Sequence, residues 1–244
     1  MPTHAFVDDI TRTRSRLASW KFGQLAVFFL LLLFVLPLLH HGLLVKAIST
    51  LFVLNSLLVA DSSNPNAHGL RRIGWSLWGI ALASNVIEEF HLNQPLTFAM
   101  KYLAIGSHAL LLLVCAVSIL NVVLRASRIT LDGIIASVVA YELIGVLFAQ
   151  IYTLAYVADS TSLLLPGNAP PSTENFQVEL IYFSFVTLAT LGYGDIVPVT
   201  NVTRSVAIVE AVIGQFYVAV IVAVLVSAFV SQRMQDLAEP DDSK

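Results

Sequence analysis

The residues whose types and spacing could do chemistry are Thr190-Leu191-Gly192-Tyr193-Gly194-Asp195. What this stretch offers is backbone oxygen. Gly192 and Gly194 reach left-handed backbone angles without a Cβ clash. Successive carbonyls can then aim the same way while the residues between them keep ordinary angles. Such a row of oxygens would replace the water shell of a small cation. Thr190 adds a hydroxyl below the carbonyls, and Tyr193 points outward, where its ring would wedge the stretch open.

A loop of this kind needs rigid surroundings, and those here are apolar. The chain has 244 residues, of which 57% are hydrophobic and 12% charged. Its mean hydropathy is +0.81. A soluble domain carries about twice that charged fraction, so an integral membrane protein is expected. Apolar runs near the length of a bilayer crossing predict six spans, at about 22–40, 43–60, 73–90, 97–124, 130–158 and 204–230. With six spans, Arg12, Arg14, Arg16, Lys21, Arg71, Arg72, Arg125, Arg128, Arg233 and Lys244 all fall on one side. That side is expected to be the cytoplasm, which puts both termini inside a multi-pass protein of the plasma (inner) membrane.

Between the last two spans lies a loop rich in turn formers, 159–175, followed by an apolar run too short to cross. The run predicts a re-entrant helix over 176–189, with Ser172, Thr173 or Asn175 as its cap and the stretch 190–195 directly after it. The expected organisation is a cytoplasmic segment 1–21, a four-helix membrane domain 22–128, a second membrane domain 129–230 and a short cytoplasmic tail 231–244. The single cysteine, Cys115, forms no intrachain disulfide. Nucleotide-binding fingerprints are absent, as is any basic tract for nucleic acid. An enzyme is not expected, nor is any cofactor.

Tyr182 to Val199, YFSFVTLATLGYGDIVPV, closely resembles the pore of the potassium channel superfamily, especially its small bacterial members. The resemblance covers roughly residues 130–230. It implies an all-α homotetramer in membrane lipid, with one pore helix, one selectivity-filter loop and one inner helix (204–230) from each subunit. Thr190, Leu191, Gly192 and Tyr193 would donate the oxygens that bind K+, with Gly194 completing the filter. Asp195 would sit behind the filter mouth and bond to a pore-helix residue, here Tyr182, with Thr187 as a further support. Leu191 stands where valine or isoleucine is commoner. Val186 occupies the position where some bacterial channels carry a glutamate, which puts filter inactivation of that type in doubt.

Gly214 matches the family's hinge glycine, and close packing on the pore helix is the alternative reading. Steps of four from it reach Val218, Val222 and Val226, an apolar face expected to line the cavity and to close by dewetting; Gln215 would lie just beneath the filter. Glu142 and Glu210 lie deep in spans, where carboxyls face protein or water. Glu210, at filter depth, is expected to pack behind the filter. The four leading spans hold the position of a voltage sensor without its arginines, because span four has only Lys101 and Arg125 near its ends. Weak or absent voltage dependence follows. Glu88, Glu89, His91 and Lys101 would cluster at the outer end of spans three and four. The expected function is passive K+ conduction by a homotetramer with no cytoplasmic ligand domain. The rivals are a non-conducting regulatory subunit and a K+ transporter subunit.

Overall fold

The structure is a computed structural model and describes residues 21–35, 42–63, 68–89, 94–125, 130–165 and 176–238. Those residues form seven helices and one two-stranded ribbon. In chain order they are α1 (Lys21–Val35), α2 (Gly42–Ser63), α3 (His68–Glu89), α4 (Gln94–Arg125), α5 (Leu131–Ala158), β1 (Leu163–Leu164), α6 (Phe176–Leu188), β2 (Val197–Pro198) and α7 (Asn201–Ala238). Each expected span and the re-entrant run coincides with a helix. Among the described residues, three stretches are long and apolar enough to cross a membrane: Leu96–Arg125, Asp132–Ala158 and Asn201–Ile221. The apolar parts of α1 and α2, Lys21–Leu31 and Ala47–Ser62, are shorter. Residues 172–175, expected to cap α6, lie outside the described residues, as do His91 and the side chains of Glu88 and Glu89.

Local chemistry sets the helix ends. Thr130 is extended (φ −120°, ψ 158°) and its hydroxyl accepts from the Gly133 N–H, so α5 begins with a side-chain cap. α5 ends where Asp159 turns the chain. The Asp159 carboxylate accepts from both the backbone N–H and the hydroxyl of Thr161. Helix α6 has 13 residues, about 20 Å at 1.5 Å each, too short for a hydrocarbon core of about 30 Å. Helix α7 begins at the Thr200 cap, whose Oγ1 accepts from the Thr203 N–H. It continues past the expected end at residue 230 as far as Ala238. After Gly214 no helix breaker occurs until Pro240, so nothing stops the helix earlier.

One apolar core runs through α1, α2, α4 and α5 and reaches α6 at Ile181 and Phe185. It crosses the boundary expected at residue 128 without a break. Phe29 of α1 packs on Phe52 of α2 (ring centroids 5.5 Å apart) and on Phe185 of α6 (5.4 Å). A second core, from Phe148, Tyr152, Phe176, Leu180, Phe183 and Ile196 with the leucines of the β1 region, fills the space between α5, α6 and the ribbon. The ribbon pairs Leu163 with Pro198 and Leu164 with Val197 in antiparallel register. It is extended by the Val199 N–H donating to the Ser162 carbonyl, and so ties the far end of the loop after α6 to the end of α5.

The α5–α6 contact depends on a glycine. A Cβ at Gly145 would stand 2.5 to 2.9 Å from three atoms of the Phe185 ring. Gly79, exposed on α3, has open space where its Cβ would be. Gly145→Ala is therefore expected to destabilise the folded protein by about 1–3 kcal/mol through overpacking. Gly79→Ala should be neutral or stabilising. Thermal unfolding of both variants in the same detergent or lipid checks this.

Candidate functional site

Helix α6 must end so that its last carbonyls are satisfied, and the loop that follows supplies the donors. The Thr190 N–H donates to the Thr187 carbonyl (2.9 Å) and the Leu191 N–H to the Val186 carbonyl (2.9 Å). This paired arrangement is a Schellman cap, which calls for a left-handed residue at the position Thr190 occupies. Thr190 has φ +58°. A β-branched residue there stores strain on the order of 1–3 kcal/mol, and the two cap bonds hold it. The loop thus begins as the cap of the helix.

Left-handed angles recur at every second residue: Thr190 (φ +58°), Gly192 (+58°) and Gly194 (+78°), with Leu191 and Tyr193 between them at negative φ. This alternation of hand turns successive carbonyls toward one side, unlike a strand, whose groups alternate. The glycines at 192 and 194 were expected to be left-handed; the left-handed threonine was not. Leu191 and Tyr193 are exposed, Tyr193 at 66%. Its ring, expected to wedge against pore helices, has no such cover from its own chain.

Beyond the loop, the Tyr182 hydroxyl donates to Asp195 Oδ2 at 2.6 Å, and the Ile196 N–H donates to Asp195 Oδ1 at 3.0 Å. The Tyr182 hydrogen bond, with help from this amide, holds the Asp195 carboxyl below the usual carboxylate range. At the opposite end, the Leu188 carbonyl accepts from the Tyr141 hydroxyl of α5 (3.2 Å). A Cβ at Gly214 of α7 would run into the same Leu188 carbonyl. Gly214 therefore has a packing requirement that involves no bend.

Glu210 is fully buried. Its Oε2 accepts from the Tyr152 hydroxyl of α5 at 2.6 Å, and its Oε1 lies 2.5 Å from Ser184 Oγ of α6. The expected cavity-lining series behaves unevenly. Gly214 is buried with Glu210 and Ile221, whereas Gln215, Val218 and Val226 are exposed. Steps of four overrun a helix turn by about 40° each, so the series drifts from the packed face of α7 to its free face. The side chain of Val222 lies outside the described residues. Lys101 does not need the acidic cluster for company, since its ammonium lies 5.8 Å from the centroid of the Phe176 ring. Thr187 contributes to the loop through its backbone carbonyl.

Several supports were not read from the sequence: Tyr141, Gly145, Tyr152 and Ser184. Their signal was available in part. Tyrosine in an apolar span needs a hydrogen-bond partner, and Tyr217, which donates to the Ser137 carbonyl at 2.5 Å, is another case. Which partner it takes depends on how the helices pack.

Comparison with known proteins points to an ion channel. A family model described as an ion channel matches residues 144–231. Protein LctB of Bacillus caldotenax is 33% identical over 125 residues, which cover 50% of this chain and 92% of that protein. Two pore potassium channel c of Oryza sativa subsp. japonica is 36% identical over 86 residues, which cover 34% of this chain but only 19% of that protein. No solved structure matches. The chain belongs to the potassium channel superfamily. It is an all-helical membrane protein of an ion channel family, and the family match runs from α5 through α6 into α7.

The Asp195 contact has a pH signature. The carboxyl is more acidic folded than unfolded, so its contribution is present above the usual aspartate range and lost as pH falls through the lower folded value. Tyr182→Phe removes the main cause of the shift. The variant should lose loop integrity at a higher pH than the parent. A pH series of thermal unfolding, run on both proteins in K+, tests this; coincident profiles would show that the hydroxyl has no such effect.

Proposed function

We propose that this chain is one subunit of a homotetrameric, potassium-selective channel that conducts K+ passively. The observation that carries the reading is the backbone from Thr190 to Gly194, whose alternating hand gives one side lined with carbonyls. One copy supplies oxygens on one side of an ion only. Four copies around an axis would surround a dehydrated cation with the oxygens of Thr190, Leu191, Gly192 and Tyr193, as in the carbonyl filters of K+ channels. The exposed faces fit such an assembly: Tyr193, Phe216 and the free side of α7 are apolar and uncovered by their own chain.

In this reading the six expected spans cross the membrane, α6 re-enters it, and both termini are cytoplasmic. Residues 22–128 form the four-helix domain, 129–230 the pore domain and 231–244 the tail. Gln215, Val218 and Val226 face the central cavity with Val222, and a narrowed ring of valines closes it by dewetting. The pore-helix C-terminus directs residual negative potential toward the cavity. Asp195, Tyr182, Thr187 and Glu210 hold the filter in place. Helix α4 carries Lys101 and Arg125 near its ends and no ladder between them, so conduction depends weakly on voltage.

Purified protein in a planar bilayer under unequal K+ and Na+ tests the reading. The reversal potential should follow the K+ gradient, and current should vary little with voltage beyond the driving force. Gly192→Ala places a Cβ on a residue at φ +58° and should abolish selective current while leaving assembly intact. A protein that is monomeric in native lipid, or that passes Na+ as readily as K+, would refute the proposal.

A further inference from the structure

Ser184 Oγ stands between two oxygens, the Gly145 carbonyl of α5 at 2.7 Å and Glu210 Oε1 of α7 at 2.5 Å. The other carboxyl oxygen, Oε2, is 2.6 Å from the Tyr152 hydroxyl. Ser184, Glu210 and Tyr152 are each fully buried. Their arrangement fixes where the hydrogens lie.

A serine hydroxyl carries one hydrogen, and a peptide carbonyl only accepts. Two oxygens this close with no hydrogen between them repel, so each short contact must contain one. If Ser184 gave its hydrogen to Glu210, the contact with the Gly145 carbonyl would hold none. Ser184 therefore donates to Gly145, and the hydrogen between Ser184 and Glu210 must come from the acid. Every hydrogen-bond partner the structure gives Glu210 is neutral, and burying an ionised carboxylate among neutral partners is strongly unfavourable.

We propose that Glu210 is a neutral carboxylic acid that positions the pore helix. Its Oε1–H donates to Ser184, Ser184 donates to Gly145, and Tyr152 donates to Oε2. The chain joins α5, α6 and α7 at one point, one turn before the cap from which the filter starts. Glu210 acts through α6 and touches no ion. The inference deepens the channel reading and rests on it for the consequence on current; the proton itself does not depend on that reading.

Infrared spectra of the reconstituted protein at neutral pH, compared between the parent and Glu210→Gln, test the protonation. A carbonyl stretch of a protonated carboxylic acid should be present in the parent and missing in the variant. Ser184→Ala removes the acceptor and should shift that band to higher frequency. A Glu210 signal found only in the carboxylate region would overturn the proposal. Current tests the positioning. Glutamine keeps one donor and one acceptor, so Glu210→Gln should conduct K+ like the parent. Glu210→Ala, checked to be assembled on a native gel, should lose about tenfold or more, the scale set by stranding buried hydroxyls. Equal loss in assembled Gln and Ala variants would count against the acid. If the parent itself carries no K+ current, the channel reading falls, while the infrared band still decides the state of Glu210.

Discussion

The structure depends most on how α6 ends. A helix leaves its last carbonyls without intrahelical donors, and here the donors come from the backbone of the loop that follows. The Thr190 and Leu191 amides close the cap on Thr187 and Val186. The geometry of the loop is consequently inherited from the helix: where α6 points, the first left-handed residue follows. The surrounding contacts keep α6 in position. Phe185 lies over Gly145, Ser184 reaches the Gly145 carbonyl, and Gly214 approaches the Leu188 carbonyl closely. At the outer end, Tyr182 holds Asp195, and the β1–β2 ribbon returns the chain to α5.

Part of this was legible in the sequence for a physical reason. Span-length apolar runs, a run too short to span, and two glycines one residue apart are local patterns, and local patterns specify local conformation. Helices occur at the stretches where periodicity and length put them. What was not legible depends on pairing between distant segments. Leu163 and Leu164 carry no sign that they pair with Val197 and Pro198. Gly145 looks like one more glycine in a membrane helix until Phe185 is placed against it. The left-handed Thr190 runs against the conformational preference of its type, and only the cap makes it necessary. The helical form of residues 231–238 was not expected, although Gln, Arg, Met and Leu are good helix formers.

The four leading helices are more than an appendage. α1 lies against α5 and reaches α6 itself, with Phe29 touching Phe52 on one side and Phe185 on the other. Lys101 sits over Phe176 at the start of α6, and Tyr102 donates to the Val157 carbonyl near the end of α5. Two places along α6, its first turn and its last, therefore answer to the packing of α1 and α4. Close-packed interiors transmit small displacements, so a change in the leading helices is felt at α6 and at the loop it carries.

The close approach of Gly214 to Leu188 makes that glycine a fulcrum. Below it, α7 continues for more than six turns to Ala238; above it, a short arm runs to the Thr200 cap. A rigid rod pivoting there carries its longer arm further than its shorter one, and the point of contact least. The last carbonyl of α6 therefore lies beside the stillest point of α7.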